Sequence, residues 1–341
     1  MNILLTSAGR RTYMIEYFKN ALNGNGLVFA ANSKLTYSLK KADDYILTPD
    51  IYDKNYIIFL IDYCIEKKIN AIISLFDIDL PILSKNRKVF EDMGIKLIVS
   101  QEQTISICND KWKTYQFLCS LGLKQSKTYI SIEKCRNDLE EGKIAFPLII
   151  KPRWGMGSIG IYEVETFEEI DVLYKKLLKY IFNTYLCFES RQDINACIVI
   201  QQKIAGKEYG LDILNDLNGN YVTTIAKQKL EMRAGETDIA QYVENTPFLD
   251  ASIAISQSLK HIGNLDVDCF ITESKEICVL EMNCRFGGLY PFSHLSGVDF
   301  PAQIVRWLDN LPTDEKLIIP QYNIIACKEL LPVILSYSHI Q

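Results

Sequence analysis

The chain has 341 residues, with 37 Lys and Arg against 42 Asp and Glu, a net charge of −5, and 48% hydrophobic residues. That length suggests two domains or three small ones, and the 19 Tyr and 15 Phe exclude disorder as the main state. The acidic balance excludes the clustered Lys/Arg of an extended nucleic-acid groove, so small molecules are the expected partners, and any phosphate needs a locally basic pocket.

No run nears the roughly 18–20 apolar residues of a membrane span, and Met1–Met14 lacks the pattern of a secretory signal. The ten Cys contain no CxxC pair and sit mostly in apolar runs, as buried reduced thiols do. Three dispersed His (His261, His294, His339) do not suit a zinc cluster. The expectation is a cytoplasmic protein with no membrane partner.

The first hundred residues alternate strand and helix patterns. Ile3–Leu5 is an apolar run, followed by a loop and then by Tyr13, Ile15, Phe18 and Leu22 at helical spacing. Leu27–Ala30, Tyr45–Leu47, Ala71–Ser74 and Ile95–Val99 read as strands, and Ile57–Ile65 as a helix. This alternation predicts right-handed βαβ units and a doubly wound parallel sheet. Lys111–Leu121 then reads as a helix stopped by Gly122. From about Thr128 the connections look like hairpins, notably among Ile198–Ile204, Tyr209–Leu214 and Tyr221–Lys229, with Asn218-Gly219 as a hairpin turn. Leu330–Gln341 suits either a closing strand or a dimer contact.

Chemistry concentrates in three places. Phe146–Ile150 reads as a strand that delivers Lys151, followed at once by Gly155, Gly157, Ser158 and Gly160. Glycines let backbone N–H groups approach an anion, and the Lys adds a fixed charge. Because the Lys precedes the glycines, this is not the Walker pattern; the loop is expected to join two strands as a flap. Taken alone, it also suits an ordinary glycine-rich hairpin. The second place, Glu273–Phe286, reads as a strand with strict alternation, with Glu281, Asn283 and Arg285 on one face. Leu265–Phe270 could set Asp268 beside Glu281 across a hairpin, giving oxygen ligands for a hard cation such as Mg²⁺. The third place, Ile198 to Asp212, reads as two strands around a polar turn.

The order of these elements, over roughly residues 1–310, resembles the ATP-grasp superfamily, and is most similar to small stand-alone members that resemble the carbamoyl-phosphate synthetase large subunit. The resemblance implies an α/β and α+β chain. It would have a Rossmann-like parallel-sheet domain at residues 1–105, a central subdomain at 106–205 with a lid at about 125–200, and a C-terminal antiparallel-sheet subdomain at 206–341 carrying the metal site. It further implies that Lys111 and Lys151 contact ATP phosphates and that Gly155, Gly157, Ser158 and Gly160 fold over them. Gln201, Gln202 and Ile204 would read the adenine, and Glu208 the ribose. Asp268, Glu281 and Asn283 would be metal ligands, and Arg285 the cation near the transferred phosphate. Lys227 or Lys229 would touch phosphate; both share a strand face.

Three positions depart from the pattern: Gln201 stands for Glu, Asp268 for Glu or Gln, and Cys284 for Pro on the opposite strand face. Arg233 and Glu236 are candidates for a substrate loop, Ser7, Gly9 and Arg10 for substrate contact, and Asp77 or Asp79 for a contact or a helix cap. The implied activity is an ATP-dependent carboxylate–amine ligase that uses Mg²⁺, up to two ions, with Mn²⁺ as a substitute. Kinase chemistry and a silent nucleotide-binding regulator are the alternatives, and small acids and amines are the expected partners.

Overall fold

The computed structural model describes residues 1–336. β1 (Asn2–Thr6), α1 (Thr12–Leu22), β2 (Leu27–Asn32), β3 (Asp44–Leu47), α2 (Tyr56–Glu66), β4 (Ala71–Ser74), α3 (Asp79–Lys85), α4 (Arg87–Asp92) and β5 (Lys96–Ile98) build a parallel sheet in the order β3-β2-β1-β4-β5. Its central strands are buried apolar runs because helices cover both faces. On α1 the buried residues Met14, Ile15, Phe18 and Leu22 form one stripe, and Asn23 ends the helix in the left-handed region.

A second unit follows: α5 (Glu102–Asn109), α6 (Lys111–Ser120), β6 (Thr128–Tyr129), α7 (Ile132–Glu140), β7 (Leu148–Pro152), β8 (Tyr162–Val164), α8 (Phe167–Phe182), α9 (Cys187–Ser190) and β9 (Ile198–Gln202). Its antiparallel sheet runs β6-β9-β7-β8. The third comprises β10 (Lys207–Asn215), β11 (Tyr221–Arg233), β12 (Glu236–Val243), α10 (Leu249–Leu259), β13 (Gly263–Ile271), β14 (Ile277–Asn283), α11 (Tyr290–Leu295), α12 (Phe300–Leu308) and β15 (Ile325–Cys327). Its antiparallel sheet runs β14-β13-β10-β11-β12-β15. The turn expected at Asn218-Gly219 is present: Asp216 Oδ1 accepts from the N–H groups of Asn218 and Asn220, and Gly219 adopts φ +81°.

Packing divides the molecule differently from chain order. Leu4, Ile72 and Leu97 of the parallel sheet share one core with Leu211, Val267 and Met282 of the six-stranded sheet. Ile3 and Phe18 share another with Leu214, Tyr290 and Phe300. The four-stranded sheet has its own core, with Leu148, Ile150, Ile170, Leu177 and Ile198. First and third units therefore form one body, and residues 128–202 a separately packed lid.

Three local expectations are corrected. β9 and β10 are not a hairpin; they belong to different sheets, and Lys203–Gly206 crosses between them. A polar turn between apolar runs looks the same in either case. The strand expected over Glu273–Phe286 spans only Ile277–Asn283, because Thr272–Lys275 turns back on itself. Finally, β15 closes the six-stranded sheet before Leu330; residues 330–336 form no strand, and 337–341 lie outside the described residues. Among the described residues, no helix is long and apolar enough to cross a membrane.

Candidate active site

Asp110 organises the lid side of the site. Its carboxylate caps α6 by accepting from the N–H groups of Trp112 and Lys113. It also holds Arg153 bidentately, with Nε at 2.7 Å and Nη2 at 2.8 Å. Since Lys111 begins α6 and Lys151 lies two residues before Arg153, this one buried pair brings both lysines to the same wall. Lys111 Nζ donates to Gly155 O and lies 3.6 Å from Glu281. Lys151 Nζ donates to Gln201 Oε1 at 3.0 Å, while Gln201 Nε2 donates to Thr128 Oγ1 at 2.9 Å. Burial, with Lys111 nearby, lowers the Lys151 ammonium to about 8.

The loop from Gly155 to Gly160 joins β7 and β8 as a flap. Gly157, Ser158 and Gly160 all have φ between +56° and +72°. Ser158 reaches the β11–β12 turn, where its hydroxyl donates to Gly235 O at 3.4 Å. Beneath the flap is a cavity of about 100 Å³, lined by Lys111, Lys151, Glu208, Lys229, Asp268 and Glu281 together with the flap's Gly155, Gly157 and Ser158.

The register of β13 and β14 sets Asp268 opposite Glu281 and Asp266 opposite Asn283. Just past the Asp268–Glu281 pair, on the side away from Asn283, β14 departs from strict alternation. Asp268 pairs with Glu281 but Cys269 with Val279, so Leu280 is an extra residue and joins Glu281 on the cavity. Lys229 Nζ lies 2.7 Å from both Glu208 and Asp268. Burial pushes the Asp268 carboxyl up to about 7, with Asp266 and Glu281 adding to the rise and Lys229 opposing it. Glu281 moves the other way: burial acts upward, but Lys111 and Lys151 hold it below the usual carboxylate range.

Other expected residues lie elsewhere. Lys227 is not at the cavity: it is 0% exposed, bonded to Asp212 and to Ser293 of α11. It shares the strand face of Lys229 but is bonded to Ser293 of α11, whereas Lys229 lines the cavity. Gln201 stands behind Lys151. The Gln202 carbonyl accepts from Ser126, and neither Gln202 nor Ile204 lines the cavity. Gly160 packs at the base of the flap, where a Cβ would come within 2.8 Å of Leu177. Arg285 lies beyond the end of β14 and pairs with Asp77 (2.9 Å) and Asp266 (2.7 Å). Arg10 and Arg233 are solvent-exposed ion pairs, with Glu236 and Asp238. Asp79, fully buried, receives hydrogen bonds from Thr6, Ser7, Tyr56 and Ser74 and so holds the first loop in place. Ser38 donates to Gly9 O.

A second cavity adjoins the first, sharing Lys111, Gly155 and Glu281, and Asn283 lines it. Tyr52, Tyr185 and Glu189 contribute to it, from segments with no local motif. Asp266, in contrast, was legible as the period-two neighbour of Asp268.

Asp268, Glu281 and Asn283 are a hard oxygen donor set that suits Mg²⁺. Among the described residues no three His, Cys, Asp or Glu converge to hold a metal by themselves, so phosphate oxygens would have to complete the coordination.

Residues 108–289, over half of the chain, match the ATP-grasp domain family, and residues 3–98 match the PylC-like N-terminal domain. The chain is 23% identical over 231 residues to the carbamoyl phosphate synthase arginine-specific large chain of Bacillus subtilis, covering 65% of this chain and 21% of that one. It thus spans about a fifth of the length of such curated relatives. Among solved structures, biotin carboxylase of Campylobacter jejuni superposes with a TM-score of 0.72 at 16% identity, over 95% of this chain and 74% of that one. The L-amino acid ligase of Bacillus licheniformis gives 0.68 at 18%, over 94% and 77%.

Proposed function

The chain belongs to the ATP-grasp family, and on that premise we propose that it is an ATP-dependent ligase that activates a carboxylate as an acyl phosphate and couples it to an amine. The observation that supports this reading is the convergence of Lys111, Lys151 and Lys229 with Asp268 and Glu281 beneath one flap, beside a second cavity.

A carboxylate is a poor electrophile until one oxygen becomes part of a good leaving group. A carboxylate oxygen attacks the γ-phosphorus of ATP, the bond to the β–γ bridging oxygen breaks, and ADP leaves. The amine nitrogen then attacks the acyl carbon, the C–O bond to phosphate breaks, and phosphate leaves as the nitrogen loses its proton. The transfer needs positioning and charge neutralisation more than covalent help. Lys111 and Lys151 supply fixed positive charge to phosphate oxygens, and Gln201 keeps the Lys151 ammonium aimed. Lys229, between Glu208 and Asp268, places a third cation at the opposite wall. Asp268, Glu281 and Asn283 would hold Mg²⁺, as one ion or two or replaced by Mn²⁺, which when bound neutralises charge between phosphate oxygens. The flap, resting on Gly235, excludes the water that would hydrolyse an acyl phosphate. Arg285, the cation expected near the transferred phosphate, lines neither cavity; through its pair with Asp77 it would act by holding that carboxylate at the wall of the second cavity.

A screen of acids crossed with amines, read as ADP release with mass spectrometry of the product, tests this. ADP release that requires both substrates is expected. Release with an acid or alcohol alone, giving a stable phosphorylated product, would make the protein a kinase.

A further inference from the structure

The cavity beside Lys111 has features that phosphoryl transfer does not use. Tyr52 and Asp77 of the parallel-sheet domain and Asn109 at the end of α5 form one side, and Trp154, Tyr185 and Glu189 of the lid the other. Its charged lining is three carboxylates, Asp77, Glu189 and Glu281, against the single ammonium of Lys111. Two of its buried oxygens, Asp77 Oδ1 and Asn109 Oδ1, have no hydrogen-bond partner.

Both orphans are fixed by what the rest of their side chains do. Asp77 Oδ2 accepts from Arg285 Nε (3.2 Å) and Nη2 (2.9 Å), which leaves Oδ1 over. Asn109 Nδ2 donates to the Asp77 backbone carbonyl at 2.8 Å, so the amide cannot turn its oxygen inward to that partner. A buried acceptor without a donor is costly, and here two neighbouring acceptors share one cavity. Around them the walls are aromatic. Tyr52 stacks on Phe188 at 4.1 Å and its hydroxyl donates to Glu189 at 3.1 Å, which ties a parallel-sheet residue to the lid.

We propose that this cavity is the amine subsite, taking a primary ammonium on an apolar or aromatic body, with the ammonium donating to Asp77 Oδ1 and Asn109 Oδ1. An ammonium brings three donors and the charge that the lining lacks. Aromatic faces accept both the apolar body and the cation's edge. A carboxylate placed there would meet Glu189 and the unpaired oxygen of Asp77, neither of which can donate to it. The role as amine subsite rests on the ligase reading; the preference for a cation does not.

Calorimetric titration of the full chain with phenethylamine, 2-phenylethanol and 3-phenylpropionate separates the cases, with no turnover required. Phenethylamine is expected to bind at least tenfold tighter than either of the others. Asp77→Asn should cut that affinity at least tenfold, and Glu189→Gln, on the half-open lid side, by severalfold without loss of fold. Equal or tighter binding of 3-phenylpropionate, no binding of the amine, or unchanged affinity in both variants overturns the proposal. If the amine binds while the acid–amine screen releases no ADP, the ligase reading fails and the cation pocket stands. Amine-dependent turnover without this ranking overturns the pocket alone.

Discussion

Lys227 and Lys229 are two residues apart on one face of β11, yet they have different work. Lys227 is fully buried between Asp212 and Ser293 of α11, while Lys229 lines the cavity and bridges Glu208 and Asp268. Lys227→Ala leaves the buried Asp212 charge uncompensated and should cost about 3–5 kcal/mol in a denaturant titration. Lys229→Ala should lose less stability and weaken ADP binding at least tenfold by calorimetry; the reverse pattern would exchange the two roles. Lys151 carries a pH prediction. Burial lowers its ammonium to about 8 from the ordinary 10.5, so above about pH 8 the folded protein has released a proton that the unfolded chain keeps to about 10.5. This group therefore favours folding more as pH rises through that window, whereas nucleotide binding, if it uses the ammonium as proposed, should weaken. The ADP dissociation constant should rise past pH 8, with proton uptake on binding, and Lys151→Met should flatten that dependence.

At the scale of elements, the site is built by pairings that sequence shows only in part. The hairpin of β13 and β14 and its Asp268–Glu281 register follow from alternation in two apolar strands. The extra residue that turns Leu280 onto the cavity does not, because one inserted residue leaves no mark on composition. Glu281 keeps its place while Arg285, expected on the same face, falls past the strand's end and is claimed by Asp77 and Asp266. The flap is legible in its glycines, but the grip behind it is not: Asp110 and Arg153 are far apart in sequence and meet only in the fold. Asp110→Ala removes the α6 cap and half of a buried pair, together about 4–6 kcal/mol. It should lower the melting temperature and, by loosening Lys111 and Lys151 together, reduce turnover at least tenfold. A stable variant with normal turnover would show that the pair only decorates the wall.

At the scale of the whole molecule, two shared cores make the first and last thirds one body, and a third core makes the lid another. The crossing at Lys203–Gly206 and the segment after Gly122 connect them, so the lid is expected to open without unfolding the rest. Hydrogen exchange should therefore be faster in residues 128–202 than in β10 and β13, and ADP with Mg²⁺ should slow exchange of the flap. Uniform exchange in both bodies would contradict a lid that moves independently. Sequence alone determined the alternation that makes a parallel sheet, the hairpins of the last sheet, and the order of lysines, glycines and carboxylates that marks the family. These are local: periodicity and spacing act within one or two elements. Tertiary structure decided which lysine lines the cavity, that Gln201 holds Lys151, that Arg285 is shared by two aspartates, and that Tyr52, Asp77 and Glu189 line one cavity. Those contacts join segments that are distant along the chain, and burial and hydrogen-bond satisfaction, which select them, exist only once the chain has packed.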